Sequence, residues 1–190
     1  HILRNGVHVR MVDRVCAGDR ITVILAEERL LRANPLLQVG IVYEDADLIL
    51  FDKPPAMPVH PSFAHANDTL GNFFAFHTQS RGERISFRPI NRLDADTTGL
   101  CLVAKNPLAA SVLAQQVQKE YTAVLCGEPV QDSGEINLPI ARDPSNPVRR
   151  CVSKEGQPSV TRYEVLNRKN GYTLVRVQLV TGRTHQIRVH

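Results

Sequence analysis

Arg92 and Asp94 stand two residues apart in the run Asn91 to Gly99 (NRLDADTTG), a polar, glycine-ended turn that feeds the apolar stretch Leu100 to Ala104. A turn by itself calls for Asp, Thr and Gly, and has no need of an arginine. A carboxylate works as acid, base or nucleophile only when its position and charge are fixed. A guanidinium does both, through a fork of parallel hydrogen bonds. Read as extended chain, the spacing puts Arg92 on the same side as Asp94. Arg183, at the end of the clearest strand and just before a helix start, is a second candidate partner. The same residues also fit a plainer reading, a surface turn with an ordinary ion pair worth ~1 kcal/mol or less.

Other reactive types are scattered. His60, His65, His185 and His190 include no helical i, i+4 pair, and Cys16, Cys101, Cys126 and Cys151 include no Cys-x-x-Cys pair. No metal site is expected on those spacings, and the histidines read as structural or partner-facing. Cys101 and Cys126 lie within apolar runs, where a free thiol behaves as a small hydrophobe; reduced thiols suit a cytoplasmic protein. A hydrolase using two acids would need a partner for Asp94 across a cleft, and Asp96, two residues on in the same turn, is poorly placed for that.

The elements that must position these residues read as α+β, richer in strand and mostly antiparallel. Residues 1–35 form a small separate segment, with a short strand at Arg20 to Leu25 and a linker from Glu27 to Asn34 ending at Pro35. Residues 36–190 form the main domain. In it, Ile41 to Glu44 and Leu48 to Asp52 are strands about an acidic turn, stopped by Lys53-Pro54-Pro55. Asp68 is expected to cap a helix through Gln79, with Leu70, Phe73, Phe74 and His77 on one face. Gly99 to Lys105 is a strand, and Pro107 opens a helix to Gln118. Strands come next at Tyr121 to Cys126, Val160 to Leu166 and Tyr172 to Val180, and Thr184 is expected to cap a short helix starting at His185. A hydrophobic fraction of 43% and 22% charged residues suit a globular core, and no run approaches the span of a bilayer. The net charge of +4 is unevenly spread: residues 91–190 hold 13 Lys+Arg against 9 Asp+Glu, so the basic excess lies with the turn and the chain after it. That asymmetry is compatible with a nucleic-acid partner.

Asn91 to Lys105 (NRLDADTTGLCLVAK) closely resembles the active-site motif of the RluA-type pseudouridine synthases. Four further blocks resemble family motifs in the same order: Tyr43 to Ser62 (YEDADLILFDKPPAMPVHPS), Lys119 to Gly127 (KEYTAVLCG), Gly156 to Leu166 (GQPSVTRYEVL) and Thr181 to His190 (TGRTHQIRVH). The resemblance implies an enzyme that isomerises uridine to pseudouridine in RNA, ribosomal RNA before transfer RNA, with no cofactor or metal and as a monomer. By the same resemblance Asp94 is the catalytic aspartate and Arg183 its charge partner. Tyr121 lies against the target uracil, Ile187 walls its apolar side, and Arg92 enters the space left by the flipped nucleotide. A binding module that keeps the fold without catalysis is the other class to weigh, and the intact set of Arg92, Asp94, Tyr121 and Arg183 speaks against it.

The chain departs from the family pattern in three places. Asn91 and Thr98 replace the commoner His and Ser, and both keep hydrogen-bonding capacity. Gln118 runs directly into Lys119 where the family has a basic stretch, which predicts residues missing there. The family pattern continues beyond His190, so the domain is expected to be incomplete at that end. The segment with Asn5-Gly-Val-His-Val and Ala17-Gly-Asp-Arg-Ile-Thr-Val resembles the latter part of a small RNA-binding domain carried by many members.

Overall fold

The computed structural model describes residues 2–10, 12–24 and 30–190. The chain divides into two compact units, one up to Gln115 and one from Gln116 to His190.

The first unit opens with β1 (Ile2–Arg4), β2 (Val7–His8) and β3 (Ile21–Val23), joined in the order β2-β1-β3. The expected strand over Arg20 to Leu25 is β3, trimmed to three residues; Leu25, with the start of the expected linker at Glu27, lies outside the described residues. The end of that linker is fastened to helix α1 (Leu70–Gln79): the Asn72 amide donates to Arg32 O at 2.8 Å and Gln79 donates to Leu31 O at 3.1 Å.

Around α1 the unit holds β4 (Gly40–Glu44), β5 (Leu48–Lys53), β6 (Arg88–Pro89), β7 (Gly99–Ala104) and α2 (Pro107–Gln116). The strands form one antiparallel sheet in the order β4-β5-β7-β6. Ile49, Phe51 and Lys53 alternate inward along β5, and Cys101 and Val103 do so along β7. Helix α1 covers this face with Leu70, Phe73 and Phe74, as its spacing predicts, and Phe51 meets both rings edge-on at 5.8 and 6.5 Å. The helix cap is Thr69 rather than Asp68: Thr69 Oγ1 accepts the Asn72 N–H while Asn72 Oδ1 accepts the Thr69 N–H, a reciprocal box. Asp68 instead lies 2.8 Å from His65 Nδ1. Helix α2 begins at Pro107 as expected and stops at Gln116, two residues short of the expected end, with none of its residues buried.

The second unit holds β8 (Glu120–Cys126), β9 (Ser133–Asn137), β10 (Ile140–Asp143), β11 (Asn146–Val152), β12 (Val160–Lys169), β13 (Tyr172–Leu179) and α3 (Gln186–Val189). Four of them make an antiparallel sheet in the order β8-β13-β12-β9, and β10 and β11 make a hairpin of their own. Val175 and Val177 are buried on one face of β13, while Arg176 on the other pairs with Glu120 and Glu164. The expected strand from Val160 continues past Leu166 to Lys169, because a bulge between Val165 and Asn167 lets the pairing with β13 resume. The three strands from Ser133 to Val152 carry too many polar residues for the alternation to reveal them, and they come from the structure alone.

Candidate active site

Three anchors build the turn that carries Asp94. The first is Asn91. Its amide donates to Leu100 O and its carbonyl oxygen accepts the Leu102 N–H, both at 2.8 Å. One side chain thus pairs with β7 in place of main chain, and frees residues 92–98 to leave the sheet. The second is Leu93, which is buried and forms a main-chain hydrogen bond to the Cys101 thiol. The third is Lys53. It is fully buried, and its ammonium donates to Pro54 O at 2.8 Å, Met57 O at 2.9 Å and Ala95 O at 2.8 Å. The Met57 N–H also reaches Ala95 O, at 3.1 Å. Three protons meet three carbonyls, so the buried charge is fully solvated by backbone. The loop after β5 and the residue next to Asp94 are held as one piece.

Within that frame Asp94 is half-buried, its own carbonyl accepts the Thr97 N–H at 3.1 Å, and the turn closes at Gly99 with φ +118°, where a side chain would strain the backbone. Burial pulls the Lys53 pKa down from 10.5, and the charges of Cys101, Asp96 and Asp94 act against that pull. The lysine is therefore a fixed cation within electrostatic reach of Asp94. Burial likewise lifts the Cys101 thiol to about 11, against opposing effects of Lys53 and the Leu93 hydrogen bond. Arg92 is exposed. Its charge, after burial, is the second cause lowering the pKa of His60, whose ring stands edge-on to Phe87 at 5.4 Å.

The remaining expected site residues belong to the second unit. Tyr121 on β8 is half-buried and pairs in register with the buried Val177 of β13. The loop leaving β13 carries Arg183, whose guanidinium is exposed and whose Nε donates to Pro158 O at 3.2 Å. Ile187 is half-buried on α3. The helix start differs from expectation: His185, in the left-handed region at φ 58°, precedes α3 without a side-chain cap, and Thr184 does not cap it. Gln186 ties down the loop instead. Buried to 2% exposure, it accepts the Arg183 N–H at 2.9 Å and the Thr181 hydroxyl at 3.0 Å, and donates to Val160 O at 3.0 Å and Thr161 Oγ1 at 2.9 Å. Every donor and acceptor of its amide is used.

Arg92 and Asp94 thus share one unit, and Tyr121, Arg183 and Ile187 the other. Lys53 and Gln186 are the residues that motif reading passes over as anchors. The signal for Lys53 is its phase: it continues the inward series Ile49, Phe51, Lys53, where a lysine requires a partner. Gln186 offers no such signal, because a four-residue helix has no period to read. Among the described residues no three His, Cys, Asp or Glu side chains gather as ligands for a metal, and no helix is long and apolar enough to cross a membrane.

The sequence model of RNA pseudouridylate synthase matches residues 47–190. An uncharacterized RNA pseudouridine synthase of Bacillus subtilis, YhcT, is 40% identical over 91% of this chain and 60% of its own length. The ribosomal large subunit pseudouridine synthase D of Pasteurella multocida is 37% identical over 93% of this chain and 56% of its own. The chain therefore spans about three-fifths of such relatives. Among solved structures, human RNA pseudouridylate synthase domain containing 1 superposes with a TM-score of 0.66 at 25% identity, over 84% of this chain and 66% of that one. With most of its length matched in sequence and the mixed, mostly antiparallel fold shared, the chain belongs to the RNA pseudouridylate synthase family.

Proposed function

We propose that this protein isomerises uridine to pseudouridine in RNA, with ribosomal RNA as substrate. The observation that carries the reading is the construction of the Asp94 turn: a half-buried carboxylate, in a family motif, held by the Asn91 side chain paired to β7 and by a buried lysine. A surface ion pair would not need that support.

In the reaction the bond from sugar C1′ to uracil N1 breaks, the uracil turns, and C1′ bonds to C5. The C5 proton leaves and N1 gains one, so the product is an isomer and no electrons are exchanged. Asp94 acts at the sugar, as nucleophile or as base. By the family resemblance Arg183 is its charge partner. Tyr121 stacks on the uracil and Ile187 walls its apolar side. Arg92 fills the gap left by the flipped nucleotide, which the RNA resists by a few kcal/mol; its exposure suits that task. Residues 1–35 add RNA contact through their small sheet, and residues 36–190 carry the chemistry, as a monomer without cofactor or metal. Four free cysteines suit a cytoplasmic setting. The 37% identity to a protein named for the ribosomal large subunit favours ribosomal over transfer RNA.

The test is to supply full-length protein, or its Asp94→Ala variant, with RNA from a strain lacking the gene and to map pseudouridine. New modification by wild type alone is expected. No modification by wild type would refute the activity, and equal modification by the variant would refute the role of Asp94.

A further inference from the structure

Of the six phenylalanines, Phe51, Phe73 and Phe74 are buried and Phe76 and Phe87 half-buried, whereas Phe63 stands at 107% relative exposure. A single apolar side chain in water needs no explanation by itself, but the segment that carries this one is closely built. Residues 60–69 form a loop closed at its neck, where the first residues of α1 donate back across it: Leu70 N–H to Pro58 O at 2.9 Å and Gly71 N–H to Val59 O at 3.1 Å. Inside the loop Ser62 and His65 exchange main-chain hydrogen bonds at 3.0 and 3.1 Å, which leaves Phe63 and Ala64 at the apex. The His65 ring lies 2.8 Å from Asp68, and the carbonyls of Ala66 and Asn67 accept from the Asn72 and Asn34 amides at 3.3 and 2.8 Å. The backbone beneath Phe63 is tied down while its ring stands in water, the pattern of a compact surface loop with a task.

The loop is fastened to the Asp94 turn. Met57, just before the neck, donates its N–H to Ala95 O at 3.1 Å, and the charge of Arg92 acts on His60. Three residues of chain separate His60 from Phe63, a span of at most about 11 Å. The aromatic apex thus lies in the same unit as Arg92 and Asp94 and near the first of them. Its surroundings decide what it suits. A stable protein partner needs a patch of about 800 Å² on each side, and the loop around Phe63 offers Ser62, His65, Asn67 and Asp68 instead of further apolar surface. A nucleobase needs only one ring face, with a cation nearby for its backbone.

We propose that Phe63 is a stacking platform for an unpaired base of the RNA that flanks the target uridine. The inference rests on the proposed function for the identity of the strand. Every base has a π-face, so the platform adds affinity and placement without reading sequence. A phenyl ring carries no charge and displaces no counterion, so its contribution is the same at every salt concentration. The chemistry stays with Asp94.

The full-length protein is titrated with a labelled single-stranded oligouridine at several salt concentrations, beside Phe63→Ala, Phe63→Leu, Phe63→Trp and, as an equally exposed apolar control, Val130→Ala. Phe63→Ala is expected to weaken binding about 5-fold to 100-fold, with the slope of log K against log salt unchanged. Phe63→Leu, which keeps apolar bulk without a π-face, should lose most of the same affinity, and Phe63→Trp should keep it. Val130→Ala should bind as wild type. The melting temperature should stay constant throughout, because the ring buries nothing. Inorganic polyphosphate, a polyanion without bases, should bind wild type and Phe63→Ala equally. Equal affinity of wild type and Phe63→Ala for oligouridine overturns the platform, as does full affinity in Phe63→Leu or an equal loss toward polyphosphate. A wild-type dimer that Phe63→Ala dissolves in sedimentation, with RNA affinity unchanged, overturns it in favour of a contact between copies. Pseudouridine mapping on the same samples separates the two ideas: modification by wild type with undiminished Phe63→Ala binding removes the platform alone, and weakened Phe63→Ala binding without modification by wild type removes the activity alone.

Discussion

Replacing Lys53 by Met should unfasten the turn that carries Asp94. The substitution keeps the length of the side chain and most of its volume, so the packing change is small. The ammonium is lost. Ala95 O keeps the Met57 N–H, whereas Met57 O and Pro54 O lose the donor that the lysine gives them. A buried acceptor left unmatched costs about 1–3 kcal/mol. The lysine's bond to Met57 O is buried and its bond to Pro54 O only partly, so Pro54 O regains some water. Relief of the lysine's own desolvation offsets part of the loss. The balance is a destabilisation of about 2–4 kcal/mol, to be read as a shift of the urea midpoint at unchanged slope. The pH dependence gives a second check with a definite sign. Because burial lowers the folded-state pKa of Lys53 below its ordinary 10.5, the unfolded chain binds more protons between the two values. Stability from this group is thus least when both states are protonated and grows as pH rises through the folded pKa toward 10.5. The gap between wild type and Lys53→Met should widen on that alkaline side. Pseudouridine formation at saturating RNA should fall by about 10-fold to 100-fold, through displacement of Asp94. A stability change under about 0.5 kcal/mol would refute the cradle, because two carbonyls cannot lose a charged donor at that cost.

Two other buried groups give checks of their own. Glu44, nearly buried, takes Lys105 at 3.1 Å, Arg81 at 3.0 Å and His77 at 2.8 Å; burial pushes its pKa up, but hydrogen bonds and charge from His77 and Lys105 outweigh it and hold the carboxyl below 4.5. Glu44→Gln should cost about 1.5–3 kcal/mol at pH 7, and that difference should vanish as pH falls through the folded pKa of Glu44, since a depressed carboxylate stabilises only while ionised; a difference that persists at pH 2 would rule out the charge as its source. Cys101 is buried with its thiol lifted to about 11, while Cys16 and Cys126 are exposed, so iodoacetamide at pH 8 should label Cys16 and Cys126 and spare Cys101 until urea is added. Equal labelling of Cys101 in the native protein, read by peptide mass, would contradict the packing of β5 on β7.

The Asp94 turn was legible because its chemistry is local: Arg92, Asp94, Thr97 and Gly99 lie within eight residues, and β7 comes at once. The helix over Phe73 and Phe74 and the strand over Val175 and Val177 were legible because their apolar phase is clean. Where phase fails, so does the reading. The β9 to β11 region places Glu135, Arg142 and Arg150 on a ribbon with little buried face, which leaves no alternation to find. The misplacement of a cap at Asp68 has a different cause. Both Asp68 and Thr69 are good capping types, and the choice between them falls to Asn72, whose amide is also tied to Arg32 O, forty residues earlier. No local rule contains that contact. The same applies at Thr184, where a buried Gln186 satisfies the loop that a hydroxyl was expected to cap.

One anchoring device recurs in each of the two units. In the first unit a buried ammonium gathers three carbonyls around the residue next to Asp94; in the second a buried amide gathers a hydroxyl, a main-chain N–H and two acceptors around the loop that carries Arg183. A buried polar group is costly unless every donor and acceptor finds a partner, and strongly orienting when all do. Lys53 and Gln186 meet that condition while the groups they position, Asp94 and Arg183, stay half-buried or exposed. The fold therefore places its desolvation on the anchors and keeps Asp94 and Arg183 accessible. This separation lets a charged side chain be fixed in place by its neighbours while it stays open to solvent.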